Sequence, residues 1–200
     1  MPQKKQKPKP RKSYGIYLAL IPAALLVAFI IYLVVTPPAA NIVSPTPTSG
    51  QTTVRPGETA KPFSLNLIDS TGLRNEKLNF EPSTGKVVFI DFLHEWCGFC
   101  RRMAPVIDRL HENYRDRGVM FLTVAGGYNT NTEKTAAYLR EHGVDWQVVY
   151  DQNLDVFRLY GVRGTPTYFV ISPDGKIITK LEGEQSYEIL ANEIEKALRQ

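Results

Sequence analysis

The chain has 200 residues, of which 24 are Lys or Arg and 20 are Asp or Glu, for a formal net charge of +4; it carries two cysteines. That length suits one ordinary domain of about 100–150 residues with additional segments attached. The surplus of positive charge sits in the first fifteen residues: without Lys4, Lys5, Lys7, Lys9, Arg11 and Lys12 the remainder holds 18 basic against 20 acidic residues, formally −2, which removes the main electrostatic support for nucleic-acid binding.

In chain order, residues 1–15 form a basic tail without an acidic group, and residues 16–35, IYLALIPAALLVAFIIYLVV, follow with no charge at all. Twenty helical residues rise ~30 Å, the thickness of a bilayer's hydrocarbon core, so a single transmembrane helix is predicted. A cleaved signal peptide is the alternative, but its apolar region spans only ~7–15 residues and ends in a small-residue cleavage site that is not evident here. Arg55 is the only charge between residues 36 and 57. The positive-inside rule therefore predicts a cytoplasmic N-terminus, a membrane-anchored chain and an extracytoplasmic C-terminal domain. Residues 36–57, rich in Pro, Thr and Ser, read as an extended linker. The domain is expected to occupy residues 58–200.

Within it, PFSLNL (62–67) reads as an edge strand, and KVVFIDFL (86–93) is apolar on both parities, as expected of a strand covered on both faces. A helix should open at the cysteines and reach Arg117, with Gly118 as its stop. A strand at 119–125, a polar turn, a helix at 132–142, a strand at 146–150 and a short helix at 155–160 come next. TPTYFVIS (165–172) turns at PDG into KIITKLE, and a final helix carries Tyr187, Leu190, Ala191, Ile194, Ala197 and Leu198 on one face with Ser186 as N-cap. Strands alternating with helices predict an α/β fold around a mixed central β-sheet.

Both cysteines fall in HEWCGFC, as Cys97 and Cys100. A disulfide closing so short a loop stabilises by only ~2 kcal/mol in the chain-entropy model, so a structural staple is poorly placed here. A thiol at a helix N-terminus, by contrast, is favoured as a thiolate by unpaired N–H groups and the dipole. Cys97 is thus the expected nucleophile and Cys100, one turn inside and less accessible, the thiol that resolves the mixed disulfide. A metal site using His94, Cys97 and Cys100 is the rival reading; it lacks the four ligands of structural zinc, since His111 and His142 are isolated in sequence. His94 is read as an exposed loop residue able to tune Cys97. Asp91 lies inside a strand that should be dry, and with no lysine in residues 119–125 to pair with it, its carboxyl is expected to titrate high, the property a proton acceptor beside Cys100 needs. A satisfied structural Asp is the alternative. From base rates alone the Thr165–Pro166 bond would be trans.

DFLHEWCGFCRRMAP resembles the thioredoxin active-site segment, and YGVRGTPT resembles that family's cis-proline loop. The lead-in KPFSLNLIDSTG and the extra helix and strand between residues 126 and 152 are similar to the membrane-tethered TlpA and ResA type. This resemblance implies a thioredoxin-like fold, with Cys97 as nucleophile, Cys100 as resolving thiol and Asp91 as proton acceptor. It places Trp96, Thr165 and Pro166 on the side that meets an extended substrate, and it implies no cofactor and no metal. The implied partners are exported protein thiols or disulfides, apocytochrome c among them, and a membrane protein that supplies electrons. Phe99 stands where the family usually has Pro, a position that tunes redox potential, so a disulfide-forming oxidant stays open as an alternative, as do a copper or zinc carrier and a peptide-holding chaperone.

Overall fold

The computed structural model describes residues 54–200 together with Leu26, Phe29 and Tyr32, three helical and exposed residues. The predicted basic tail, the remainder of the predicted span and the linker up to residue 53 lie outside the described residues. Among the described residues no helix is long and apolar enough to cross a membrane.

Seven strands form one sheet: β1 (Phe63–Asp69), β2 (Gly72–Phe80), β3 (Val87–Leu93), β4 (Val119–Gly126), β5 (Gln147–Asp151), β6 (Thr167–Ile171) and β7 (Ile177–Glu182). Their spatial order is β2-β1-β5-β4-β3-β6-β7. β3 runs parallel to β4 and β4 to β5, whereas β1, β2, β6 and β7 make antiparallel pairs, so the sheet is mixed as expected. Within residues 54–200 four α-helices accompany it: α1 (Gly98–Tyr114), α2 (Thr132–Glu141), α3 (Asp155–Leu159) and α4 (Tyr187–Leu198).

β3 is central and all seven of its residues are buried, which explains why VVFIDFL is apolar on both parities. Because successive side chains of a strand alternate faces, β3 feeds two cores. Val88, Ile90 and Phe92 join Leu122, Val124, Phe157, Tyr160 and Phe169 on one side; Val87 and Phe89 join Phe121, Tyr168 and the inward faces of α1 and α4 on the other.

Helix α1 presents Cys100, Met103, Ala104, Ile107, Leu110 and Tyr114 to the sheet at spacings of three and four, contains Pro105, and tightens into a 3₁₀ turn at Arg115–Arg117. Gly118 then takes φ of 80°, the left-handed conformation that ends helices and that a Cβ disfavours. In α4, the Ser186 hydroxyl accepts from the Ile189 N–H, and Leu190, Ile194 and Ala197 are buried.

The strand expected at the edge is not there. β1 lies between β2 and β5, and β2, which the sequence reading leaves out, forms the edge. Its residues 72–80, GLRNEKLNF, are largely exposed, so its apolar signal reduces to Leu78 and Phe80. The turn into it is built by Asp69, whose Oδ1 accepts from the Thr71 N–H (2.8 Å) and hydroxyl (2.6 Å). Packing also reaches back to Val54, which is buried, and the Gly57 N–H donates to the Ile177 carbonyl at 2.8 Å.

Candidate active site

Cys97 is the N-cap of α1, extended at φ −72° and ψ 112°. Its sulfur accepts from the Cys100 N–H at 3.2 Å, so an unpaired donor of the helix start points at the thiol. The same thiol donates to the Thr165 carbonyl at 3.3 Å. Both cysteines are free thiols and both are buried, at 5% and 3% exposure, so accessibility alone does not separate them as the sequence reading expects. Position separates them. Cys97 faces the loop before β6, and Cys100 faces inward towards Asp91.

That loop brings Thr165 and Pro166 to the thiols through a cis peptide bond. It is held on both sides: the Thr167 hydroxyl donates to the Gly164 carbonyl (2.7 Å) and the Gly183 N–H to the Pro166 carbonyl (2.8 Å). Asp91, Cys97, Cys100, Thr165 and Pro166, drawn from β3, α1 and the β6 approach, therefore meet at one end of the sheet.

Asp91 sits on β3 opposite Thr123 of β4 and Tyr168 of β6. It has no cationic partner among the described residues, and burial raises its carboxyl from an ordinary 3.8 to about 7. Asp91 and Cys100 line one small cavity of about 10 Å³ with Tyr138, Pro166 and Tyr168. The Cys100 thiol is pushed strongly upward, by burial first and then by the neighbouring Asp91 charge, so at neutral pH it keeps its proton until a base takes it. Tyr138, from α2, donates its hydroxyl to the Cys100 carbonyl at 3.3 Å, while the Tyr168 hydroxyl is buried without a partner among the described residues. Neither tyrosine is marked by the sequence reading. Tyr168 follows Pro166 by two in β6, but Tyr138 arrives from a helix whose docking no local pattern specifies.

His94 corrects an expectation. It is not exposed but buried, at 8% exposure, with both ring nitrogens unpartnered; burial lowers its pKa, against an opposing influence from Glu95. It packs against Trp96 and Phe157, each ring centroid at 5.0 Å. Room for it exists because position 126 is glycine: a Cβ there would lie 2.7 Å from the His94 Nε2 and 2.8 Å from the Phe157 ring. Among the described residues no three His, Cys, Asp or Glu side chains converge as metal ligands.

Around the thiols the surface is aromatic. Trp96 is half exposed and pinned by its Nε1–H to the Tyr128 carbonyl at 2.8 Å. Phe99, in the position the family usually gives to Pro, is exposed under the Arg102 guanidinium, which lies 4.7 Å from the ring centroid and binds Glu184 at 2.6 Å.

The arrangement can carry out dithiol–disulfide exchange: one thiol at a helix end, a second thiol within the first turn, and a carboxylate that titrates near neutrality behind it. Comparison with known proteins agrees. The Redoxin family model matches residues 55–198. Thiol-disulfide oxidoreductase ResA of Geobacillus thermodenitrificans is 32% identical over 146 residues, covering 72% of this chain and 79% of that protein. ResA of Bacillus subtilis is 28% identical over 144 residues, covering 71% and 75%. Among solved structures, a Chlorobium tepidum protein assigned as the thiol:disulfide interchange protein DsbE superposes with a TM-score of 0.65 at 28% identity, covering 73% of this chain and 99% of that one. The chain belongs to the Redoxin family and is a thioredoxin-like thiol-disulfide oxidoreductase of the TlpA/ResA type.

Proposed function

We propose that this protein is a membrane-anchored extracytoplasmic reductant of disulfides in exported proteins, apocytochrome c being one such substrate. In the forward half-reaction the Cys97 thiolate attacks one sulfur of a client disulfide; the client S–S bond breaks, a Cys97–client disulfide forms, and the released client thiolate takes up a proton. Cys100 then gives its proton to Asp91 and attacks the Cys97 sulfur. The client's second thiolate leaves and is protonated, and the Cys97–Cys100 disulfide holds the two-electron oxidation. A membrane electron-transfer partner restores the dithiol. Trp96, Thr165 and Pro166 flank Cys97 and receive the extended client segment.

The observation that carries this reading is the partnerless Asp91 carboxyl, raised to about 7 and sharing a cavity with the protonated Cys100. A base that titrates near the working pH is suited to deprotonate a buried thiol and then release the proton. The uncharged run at 16–35 and the cationic tail before it support the anchor and its orientation.

Trapping in cells tests the division of roles. Cys100→Ser leaves a Cys97–client disulfide that nothing nearby resolves, so clients accumulate as adducts on non-reducing gels, whereas Cys97→Ser traps little. Equal trapping by both variants would overturn the assignment.

A further inference from the structure

Of the large aromatic side chains exposed on the body formed by residues 54–200, all three, Trp96, Phe99 and Tyr128, stand around the thiols. Two of them, Trp96 and Tyr128, line a cavity of about 360 Å³ together with His94, Phe157, Val162 and Thr165 among others, and the exposed Arg158 and Arg163 line it as well. Thr165 is the residue whose carbonyl meets the Cys97 thiol, and Trp96 precedes Cys97 in the chain. An extended segment advances ~3.3 Å per residue, so a side chain one or two positions from a reacting client cysteine reaches this cavity.

Its walls are mostly aromatic and apolar, His94 being the polar exception, which favours an aromatic occupant by burial and by edge-to-face packing. Its charged lining is cationic. Arg158 is already held by Asp155, but among the described residues no acidic group pairs with Arg163, which is exposed. The cavity on the other side of Thr165, about 250 Å³ and lined by Phe99, Glu182 and Glu184, differs: Lys180 pairs with Glu182 and Arg102 with Glu184, so its charges are balanced.

We infer that the Trp96–Tyr128 cavity is a specificity subsite for an aromatic client side chain with an acidic residue beside it, the ring filling the cavity and the carboxylate meeting Arg163. The inference rests on the proposed reduction of client disulfides and names what such a client presents next to its cysteine.

The test uses the full-length reduced protein in detergent micelles and synthetic peptides, each closed by one intramolecular disulfide and differing only beside one cysteine: Phe with Asp, Phe with Lys, or Ala with Asp, on either flank. The second-order rate constant of peptide reduction is expected to be about tenfold higher for Phe with Asp than for either other pair on one of the flanks. The preference for Asp over Lys should shrink at high ionic strength, because Arg163 is exposed. Arg163→Glu should reverse the Asp-over-Lys order, and Tyr128→Ala should remove the Phe-over-Ala preference. Reduction of all peptides at equal rates would overturn the subsite and leave the reductase standing; reduction of none would take down both.

Discussion

The two faces of β3 are built from neighbouring residues and behave in opposite ways. On one, Val88, Ile90 and Phe92 enter an apolar cluster in which Phe92 packs against the rings of Phe157, Tyr160 and Phe169 at 5.1–5.6 Å. Within the cluster the Tyr160 hydroxyl is satisfied, donating to the Lys61 carbonyl at 2.7 Å; only at its margin, where His94 packs on Phe157, are buried ring nitrogens left unpartnered among the described residues. On the other face, among the described residues, Asp91 has no cationic partner and the Tyr168 hydroxyl has no hydrogen bond. The difference teaches where each property is located. One face holds the sheet together, and the other tolerates an unfavourable burial that keeps an ionisable carboxyl in the same cavity as Cys100.

If that division holds, the largest loss of stability comes from the apolar face. Phe92→Ala should cost about 3–5 kcal/mol by removing a fully buried ring, measured by denaturant unfolding. A cost below about 1 kcal/mol would break the contrast.

The second effect has the opposite sign and depends on pH. Between the ordinary carboxyl value of 3.8 and about 7, the folded state keeps the Asp91 proton while the unfolded state releases it. The resulting stabilisation is fully present below the unfolded value and is lost as pH rises through the folded one, on the order of 4 kcal/mol in total. Asp91→Asn should match the parent below about pH 4 and be the more stable protein at about pH 8. Equal stability of the two at both pH values would show that Asp91 carries no burial penalty.

Smallest is the tyrosine pair. Tyr160→Phe strands the Lys61 carbonyl and should cost about 1 kcal/mol, whereas Tyr168→Phe removes a hydroxyl that has no partner and should be neutral or stabilising. Equal losses in both would mean that the two faces are satisfied alike.

Much of this was legible in the sequence, for reasons that are local. VVFIDFL announces a doubly covered strand because all its positions are buried, and Asp91 stands out in it because a carboxylate is out of place there. The Cys97 and Cys100 spacing fixes a helix end, and Ser186 caps α4 through a hydrogen bond of its own segment. What was missed depends on tertiary placement. β2 has too few buried residues to show a period; Tyr138 reaches Cys100 only through the docking of α2; and His94 is buried because a glycine 32 positions later leaves it space. The cis bond before Pro166 came from family resemblance, not from base rates.

The claim on which the rest depends is that Asp91 takes the Cys100 proton. It is tested most directly by the rate at which the mixed disulfide on Cys97 is resolved, followed from about pH 5 to about pH 9 in the parent and in Asp91→Asn. The parent profile should show an inflection near pH 7, and the variant should be slowed by about 10²-fold at neutral pH with that inflection gone. Superimposable profiles would contradict that claim.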